Sequence, residues 1–252
     1  MMSDSGPSMP RRTELLGVPV DCLTMTAALE WAEWQLTRGS VPKAVIAVNP
    51  EKVMKAWSNP VLGTQLAQAG LLLPDGIGVV MAARLLGIGR FERVPGSEFM
   101  PHLCALAAKH GARIFLFGAK PEVVEGVKDR LLHDHPGLAI VGTQHGFLAE
   151  AEMPRLIEQI NRAKPDVLFL ALGSPRQEQW MARYLPQVHV KICQGVGGTF
   201  DVLAGVVKRA PSAWRTLHLE WFYRLLAEPS RWRRQVALPA FVYHVVRKSI
   251  AR

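Results

Sequence analysis

The sequence predicts an α/β protein with a mostly parallel sheet flanked by helices, and three observations carry that expectation. Short apolar runs (Lys43 to Val48, Leu71 to Leu73, Arg113 to Phe117, Asp166 to Leu172) alternate with stretches of helical pattern about ten residues or more long. Such alternation yields βαβ units and a parallel sheet. The runs are apolar on both alternating positions, as suits strands covered on two faces. Several of them end in polar or glycine-rich turns, at the sheet edge where ligands of open α/β folds bind.

Taken in order, Met1 to Arg12 lacks the apolar core of a signal peptide and reads as a disordered leader. Thr13 to Val20, with Gly17 and Pro19, reads as a short strand or hairpin, and Thr24 is placed to cap an amphipathic helix through Arg38. After the strand Lys43 to Val48, Asn49-Pro50 opens a helix in the favoured order of cap then proline. Leu71 to Leu73 is a short buried strand ended by Pro74, and an apolar helix runs from Ile77 to Leu86. The loop Arg93 to Glu98 leads into a helix up to about His110, and the strand Arg113 to Phe117 follows. Gly118 to Pro121 opens the next helix. Leu138 to Val141 is expected as a strand with a loop over Gly142 to Gly146, and Glu152 to Lys164 as a helix. Asp166 to Leu172 carries the strongest strand pattern, Ser174-x-x-Gln177 resembles a capping box, and Val188 to Ile192 is expected as the last strand. It leads into Gly195-Val196-Gly197-Gly198-Thr199-Phe200-Asp201. The architecture is Rossmann-like, with an α/β core over residues 13–207 and a helical appendage over 208–252.

The net charge of +9 belongs to that appendage. From Lys208 onward ten Lys/Arg face two Glu, whereas the first 207 residues hold 20 Lys/Arg against 19 Asp/Glu. An anionic partner is therefore expected at the C-terminal segment. Trp214, Trp221 and Trp232 interleave with arginine there, as in helices that lie in a membrane interface, although an amphipathic helix docked on the core fits the pattern equally. Val236 to Val246 is apolar but about half the roughly 20 residues a membrane span needs. The three cysteines, Cys22, Cys104 and Cys193, form neither a disulfide framework nor a C-x-x-C site, which suits a reducing cytoplasm.

Asn49, Asp75, Gly118, Ser174 to Gln177 and Gly195 to Asp201 all follow strands, so the parallel sheet brings them to one edge as candidate site residues. Each has a plainer role available. Asp75 taken alone reads first as a helix cap, Asn49 as another, Gln177 as half of a capping box, and the glycines as packing positions. Five such turns along one edge favour a site. Gly76-x-Gly78 begins like a dinucleotide fingerprint, but Met81 stands at its third glycine. No nucleoside-triphosphate loop, G-x-S-x-G elbow or His/Cys metal spacing occurs, and the seven Asp include no Asp-x-Asp pair. A diphosphate bound here would be neutralised by backbone N–H groups and arginine forks, with no cofactor and no metal expected.

The order of several segments is more specific. Asn49-Pro50-Glu51-Lys52, Pro74-Asp75-Gly76-Ile77-Gly78, Arg93-Val94-Pro95-Gly96-Ser97, Lys164-Pro165-Asp166, Gly173-Ser174-Pro175-Arg176-Gln177-Glu178, Gly195 to Asp201, and Lys208 to Arg234 occur in succession. From about Leu15 to Arg234 the chain thereby resembles the WecG/TagA/CpsF family of glycosyltransferases, glycosyltransferase family 26. The resemblance implies inverting, metal-independent transfer of a hexose of the N-acetylmannosamine, uronic-acid or glucose type. The donor is a UDP-sugar and the acceptor a polyprenyl-diphosphate-linked sugar, in cell-wall or exopolysaccharide synthesis. It implies Asp75 as general base, Asn49 and Gln177 as orienting groups, and Arg224, Arg231 and Arg234 as stabilisers of the departing diphosphate. Gly118, Ser174, Gly195, Gly197 and Gly198 fall to substrate binding, with Asp201 at the uridine. Ala47 departs from a Thr often seen two residues before that Asn, and Phe147 from a common Tyr. The implied partners are the lipid-linked acceptor and an anionic membrane surface, on the inner face of the cell membrane, with self-association open and nucleic acid not expected. The competing class is a basic nucleic-acid- or membrane-binding module without transferase activity; against it, no nucleic-acid motif accompanies the charge.

Overall fold

The structure, a computed structural model, describes residues 9–207 and 236–251, with Pro211, Trp214, Phe222, Tyr223, Leu225 and Trp232 between them. A hairpin of β1 (Arg11–Leu15) and β2 (Val18–Cys22) precedes α1 (Met25–Arg38), which Thr24 caps by accepting from the Ala27 N–H at 3.1 Å. The core then runs β3 (Lys43–Val48), α2 (Pro50–Ser58), α3 (Pro60–Ala67), β4 (Leu71–Pro74), α4 (Ile77–Leu85), α5 (Gly96–His110), β5 (Arg113–Gly118) and α6 (Pro121–Asp134). It continues through β6 (Ala139–Gln144), α7 (Met153–Ala163), β7 (Val167–Ala171), α8 (Arg176–Tyr184), β8 (Ile192–Gly195) and α9 (Thr199–Leu203). A last helix, α10, spans Ala237–Ile250.

All six core strands are parallel, in the order β4-β3-β8-β7-β5-β6. The uninterrupted apolar strands explain why helices cover both faces. Along β7, Leu168 and Leu170 enter one buried cluster with Phe117, Trp180 and Met181, while Val167 and Phe169 enter the other with Phe99, Leu103 and Phe200. Burying one such side chain contributes about 1.5–3 kcal/mol relative to exposure. The hairpin covers the sheet edge at β4. There Asp21, 2% exposed, accepts from the Leu72 N–H at 2.8 Å and from Arg12 Nε at 2.7 Å, satisfying a backbone donor that an edge strand otherwise leaves unpaired.

Four expectations need correction. The hairpin starts at Arg11, so Arg11 and Arg12 belong to β1 rather than to the leader. The sixth strand continues through Gln144 instead of breaking at Gly142, because that glycine packs on the Phe115 ring, which a Cβ would approach to 2.4 Å. The last strand begins at Ile192, not Val188. A turn over Leu185–Gln187 delays it, and the buried Val188 and Val190 imitate strand alternation before the ladder starts. The capping box at Ser174 does not form: α8 starts after Pro175 with no side-chain cap, and Gln177 bonds elsewhere. Of the helical appendage expected over 208–252, most of the stretch 208–235 lies outside the described residues.

The end of the chain returns to the core. Helix α10 packs on α2 and α4, burying Phe241 and Val245, and the His244 ring lies against that of Trp57, tilted by 50° with 4.3 Å between ring centroids. Its other side exposes Val242, Tyr243, Val246 and Ile250 beside Arg247 and Lys248. Pro239 stands in the first turn of this 14-residue helix, where a missing N–H costs nothing. Among the described residues no helix is long and apolar enough to cross a membrane.

Candidate active site

A cleft of about 180 Å³ opens at the carboxyl edge of β3, β4, β7 and β8. Its wall brings together seven of the expected residues: Asn49, Asp75, Ser174, Gln177, Gly195, Gly197 and Gly198. The strand order explains the meeting, since β8 lies between β3 and β7 and β4 flanks β3.

Asn49 follows β3 directly and caps α2: its Oδ1 accepts from the Lys52 N–H at 2.8 Å. The cap uses the oxygen of the carboxamide and not its nitrogen, so the structural role and a ligand-facing role coexist in one side chain. Asp75 is different. Its N–H donates to Val48 O at 2.9 Å, tying the turn to β3. The residue that caps α4 is Gly76, with no side-chain cap bond. Gly76 has φ +91°, a conformation that favours glycine, and this turn sets Asp75 on the cleft wall instead of on the helix end.

The opposite wall is α8 and the glycine turn after β8. Gln177 is 4% exposed; its Oε1 accepts from the Gly197 N–H and its Nε2 donates to Glu178 Oε1, both at 3.2 Å. A Cβ on Gly195 would lie 2.6 Å from Gln177 Nε2, so that glycine makes room for the amide. Ser174 Oγ is buried and has no hydrogen-bond partner among the described residues.

Two expected residues do not line the cleft. Gly118 closes β5 with φ +129°, and a Cβ there would meet the Ala171 backbone at 2.5–2.7 Å, so close strand packing accounts for it. Asp201 lies in the first turn of α9, beyond the glycine turn. Arg224, Arg231 and Arg234 lie outside the described residues.

The floor of the site is an ion pair between distant segments. Lys52 and Glu178, 6% and 1% exposed, form an ion pair at 2.5 Å beneath Gln177, and Glu51 and Lys55 pair at 2.6 Å on the rim. Both buried charges stand third in their helices, within segments that carry the family resemblance, but neither segment marks the other as its partner. Among the described residues no group of three or more His, Cys, Asp or Glu could hold a metal ion. Burial pushes the Cys104 and Cys193 thiols well above the usual range, which removes them as nucleophiles.

Comparison with known proteins supplies the class: the chain is a glycosyltransferase, built on a Rossmann-like parallel sheet. The match to the Glycosyl transferase WecG/TagA/CpsF family covers residues 13–252, and the chain belongs to that family. It is 35% identical over 231 residues to a Bacillus subtilis (strain 168) protein, covering 92% of this chain and 90% of the relative. It is 37% identical over 203 residues to one from Bacillus spizizenii, covering 81% and 78%. To one from Staphylococcus aureus (strain NCTC 8325) it is 32% identical over 237 residues, covering 94% and 92%. All three carry the name N-acetylglucosaminyldiphosphoundecaprenol N-acetyl-beta-D-mannosaminyltransferase.

Proposed function

We propose that this glycosyltransferase moves N-acetylmannosamine from its UDP-activated form to N-acetylglucosamine carried on a polyprenyl diphosphate, with inversion and without a metal, in the synthesis of a cell-wall or surface polymer. The names of the relatives support the acceptor and the sugar. The observation that carries the chemistry is the placement of Asp75 in a cleft that Asn49, Gln177 and the glycine turn also line, where the charges of Glu51, Lys52 and Lys55 are taken up in ion pairs. On this reading an acceptor hydroxyl oxygen attacks the anomeric carbon from the face opposite the leaving group. Asp75 takes the hydroxyl proton, the bond from the anomeric carbon to the β-phosphate oxygen breaks, and UDP departs with that electron pair. Gln177, held by Gly197, and Asn49 orient the sugars. Backbone N–H groups of the glycine turn, with the arginines after Lys208, balance the diphosphate charge.

The face of α10 that exposes Val242, Val246 and Ile250 beside Arg247 and Lys248 supports peripheral docking on an anionic membrane, which the acceptor's lipid anchor requires. A screen of UDP-N-acetylmannosamine, its uronic acid and UDP-glucose with a short-chain N-acetylglucosaminyl-diphosphoprenol tests the reading. Transfer from the first donor with a β linkage by NMR is expected. Absence of transfer from all three, or an α-linked product, would overturn it.

A further inference from the structure

Lys52 and Glu178 are 126 positions apart, on α2 and α8, and meet under the cleft. Burying two charges is expensive, and a well-packed apolar pair of similar volume often serves stability as well or better. Stability alone therefore does not account for this pair. What it touches is the side chain most constrained in the site. Glu178 Oε1 accepts both from Lys52 Nζ at 2.5 Å and from Gln177 Nε2 at 3.2 Å. An ion-paired carboxylate offers only acceptors, and the Gly197 N–H, 3.2 Å from Gln177 Oε1, offers only a donor. A carboxamide between them has one orientation that satisfies both: nitrogen towards Glu178, oxygen towards Gly197. The flipped amide would set oxygen against carboxylate and NH₂ against N–H.

The fixed orientation leaves one Nε2 hydrogen and one Oε1 lone pair uncommitted beside Gly195, where only a glycine leaves space. Lys52 is anchored in turn, because its own N–H is the one that Asn49 caps. A chain of contacts thus runs from Asn49 through Lys52, Glu178 and Gln177 to Gly197, joining the two walls of the cleft. Glu178 Oε2 is buried without a partner among the described residues. An unsatisfied buried oxygen beside a reaction cleft fits a group retained for a task there.

We propose that Lys52 and Glu178 are positioning residues whose ion pair locks the Gln177 carboxamide in the one orientation that can meet the transferred sugar. The proposal rests on the transferase reading for what Gln177 meets, but not for the lock itself. The test therefore uses two readouts on the full chain: the side-chain ¹⁵N–¹H₂ signals of Gln177, assigned by their loss in Gln177→Ala, and turnover of UDP-N-acetylmannosamine with N-acetylglucosaminyl-diphosphoprenol. In the apolar double variant Lys52→Met/Glu178→Leu the fold is expected to hold. The Gln177 signals move to the positions of a freely rotating amide, and kcat falls about 10-fold or more with donor KM changed under 3-fold. Adding Gln177→Ala to that background then costs less than a further 2-fold. Unmoved Gln177 signals in the folded variant, turnover within 2-fold of the parent, or full additivity with Gln177→Ala would each overturn the lock. Should the double variant not fold, Glu178→Gln decides: its amide can offer NH₂ to Gln177, so two sets of Gln177 signals are expected, and one unshifted set refutes the proposal. If the parent enzyme does not turn over these substrates, the transferase reading fails while the amide signals still judge the lock.

Discussion

Asp75→Asn separates chemistry from folding more cleanly than any other single change in this cleft. Asn matches Asp in size but cannot take a proton. The turn is held by backbone, through the 2.9 Å bond from the Asp75 N–H to Val48 O and the positive φ of Gly76, and neither changes. Loss of a helix cap usually costs about 0.5–2 kcal/mol, but α4 begins on Gly76 without a side-chain cap, so that cost does not arise. For a domain of this size 1 kcal/mol moves the melting midpoint by about 2–4 °C, and the expected shift is no larger than about 4 °C. Removing a general base lowers turnover by about 10²- to 10⁴-fold, equivalent to at least about 2.7 kcal/mol on the barrier. The assay follows UDP release and product mass with UDP-N-acetylmannosamine and N-acetylglucosaminyl-diphosphoprenol, alongside a thermal melt. Turnover within a few-fold of the parent at an unchanged midpoint would refute the base assignment. A midpoint lowered by 5 °C or more would show that Asp75 has a structural role beyond the turn.

Four other outcomes are expected. Turnover stays within 2-fold after dialysis against EDTA; an activity lost to chelation and restored by Mg²⁺ or Mn²⁺ contradicts metal-independent transfer. Joint replacement of Arg224, Arg231 and Arg234 by Ala lowers turnover about 10²-fold or more and weakens binding to anionic vesicles, since basic residues near such a surface contribute about 1 kcal/mol each. This triple variant is a cleaner test than deleting 208–252, which would also strip the buried Phe241 and Val245 from the core. Gly118→Ala lowers stability by about 1–3 kcal/mol through backbone overlap with Ala171 while leaving donor KM unchanged, and a raised KM at constant stability assigns Gly118 to the substrate instead. Phe241→Ala costs about 3–5 kcal/mol in denaturant unfolding because α10 packs it into the core, and a cost under 1 kcal/mol contradicts that packing.

What could be read in advance follows the range of the interaction involved. Strand β7 was legible because five consecutive positions are apolar and each face needs its own cover, and α1 because Thr24 caps locally. Local reasoning failed where a local pattern had a distant cause. Val188 and Val190 alternate like a strand yet pack in a loop, while the true strand Ile192–Gly195 is defined by neighbours at Lys43 and Val167. Ser174-x-x-Gln177 has the spacing of a capping box, but Gly197 and Glu178 take the glutamine side chain. The convergence of Asn49, Asp75, Gln177 and the glycine turn was foreseeable from the parallel topology alone. The Lys52–Glu178 pair was not, because nothing in either neighbourhood encodes a partner 126 positions away.

The inner strand β8, which joins the two sides of the site, is also the last strand along the chain among the described residues. Before Ile192–Gly195 can pair, β3–β4 and β5–β6–β7 are two separate ribbons, each with an open edge where β8 will lie. Asn49 and Asp75 stand on one ribbon and Gln177 on the other, so neither holds a site by itself. Joining them closes a loop from Lys43 to Ile192, a long-range step that is slow relative to helix formation and leaves unpaired strands open to aggregation meanwhile. On refolding, helical content should therefore recover ahead of activity, with the lag set by the insertion of four residues.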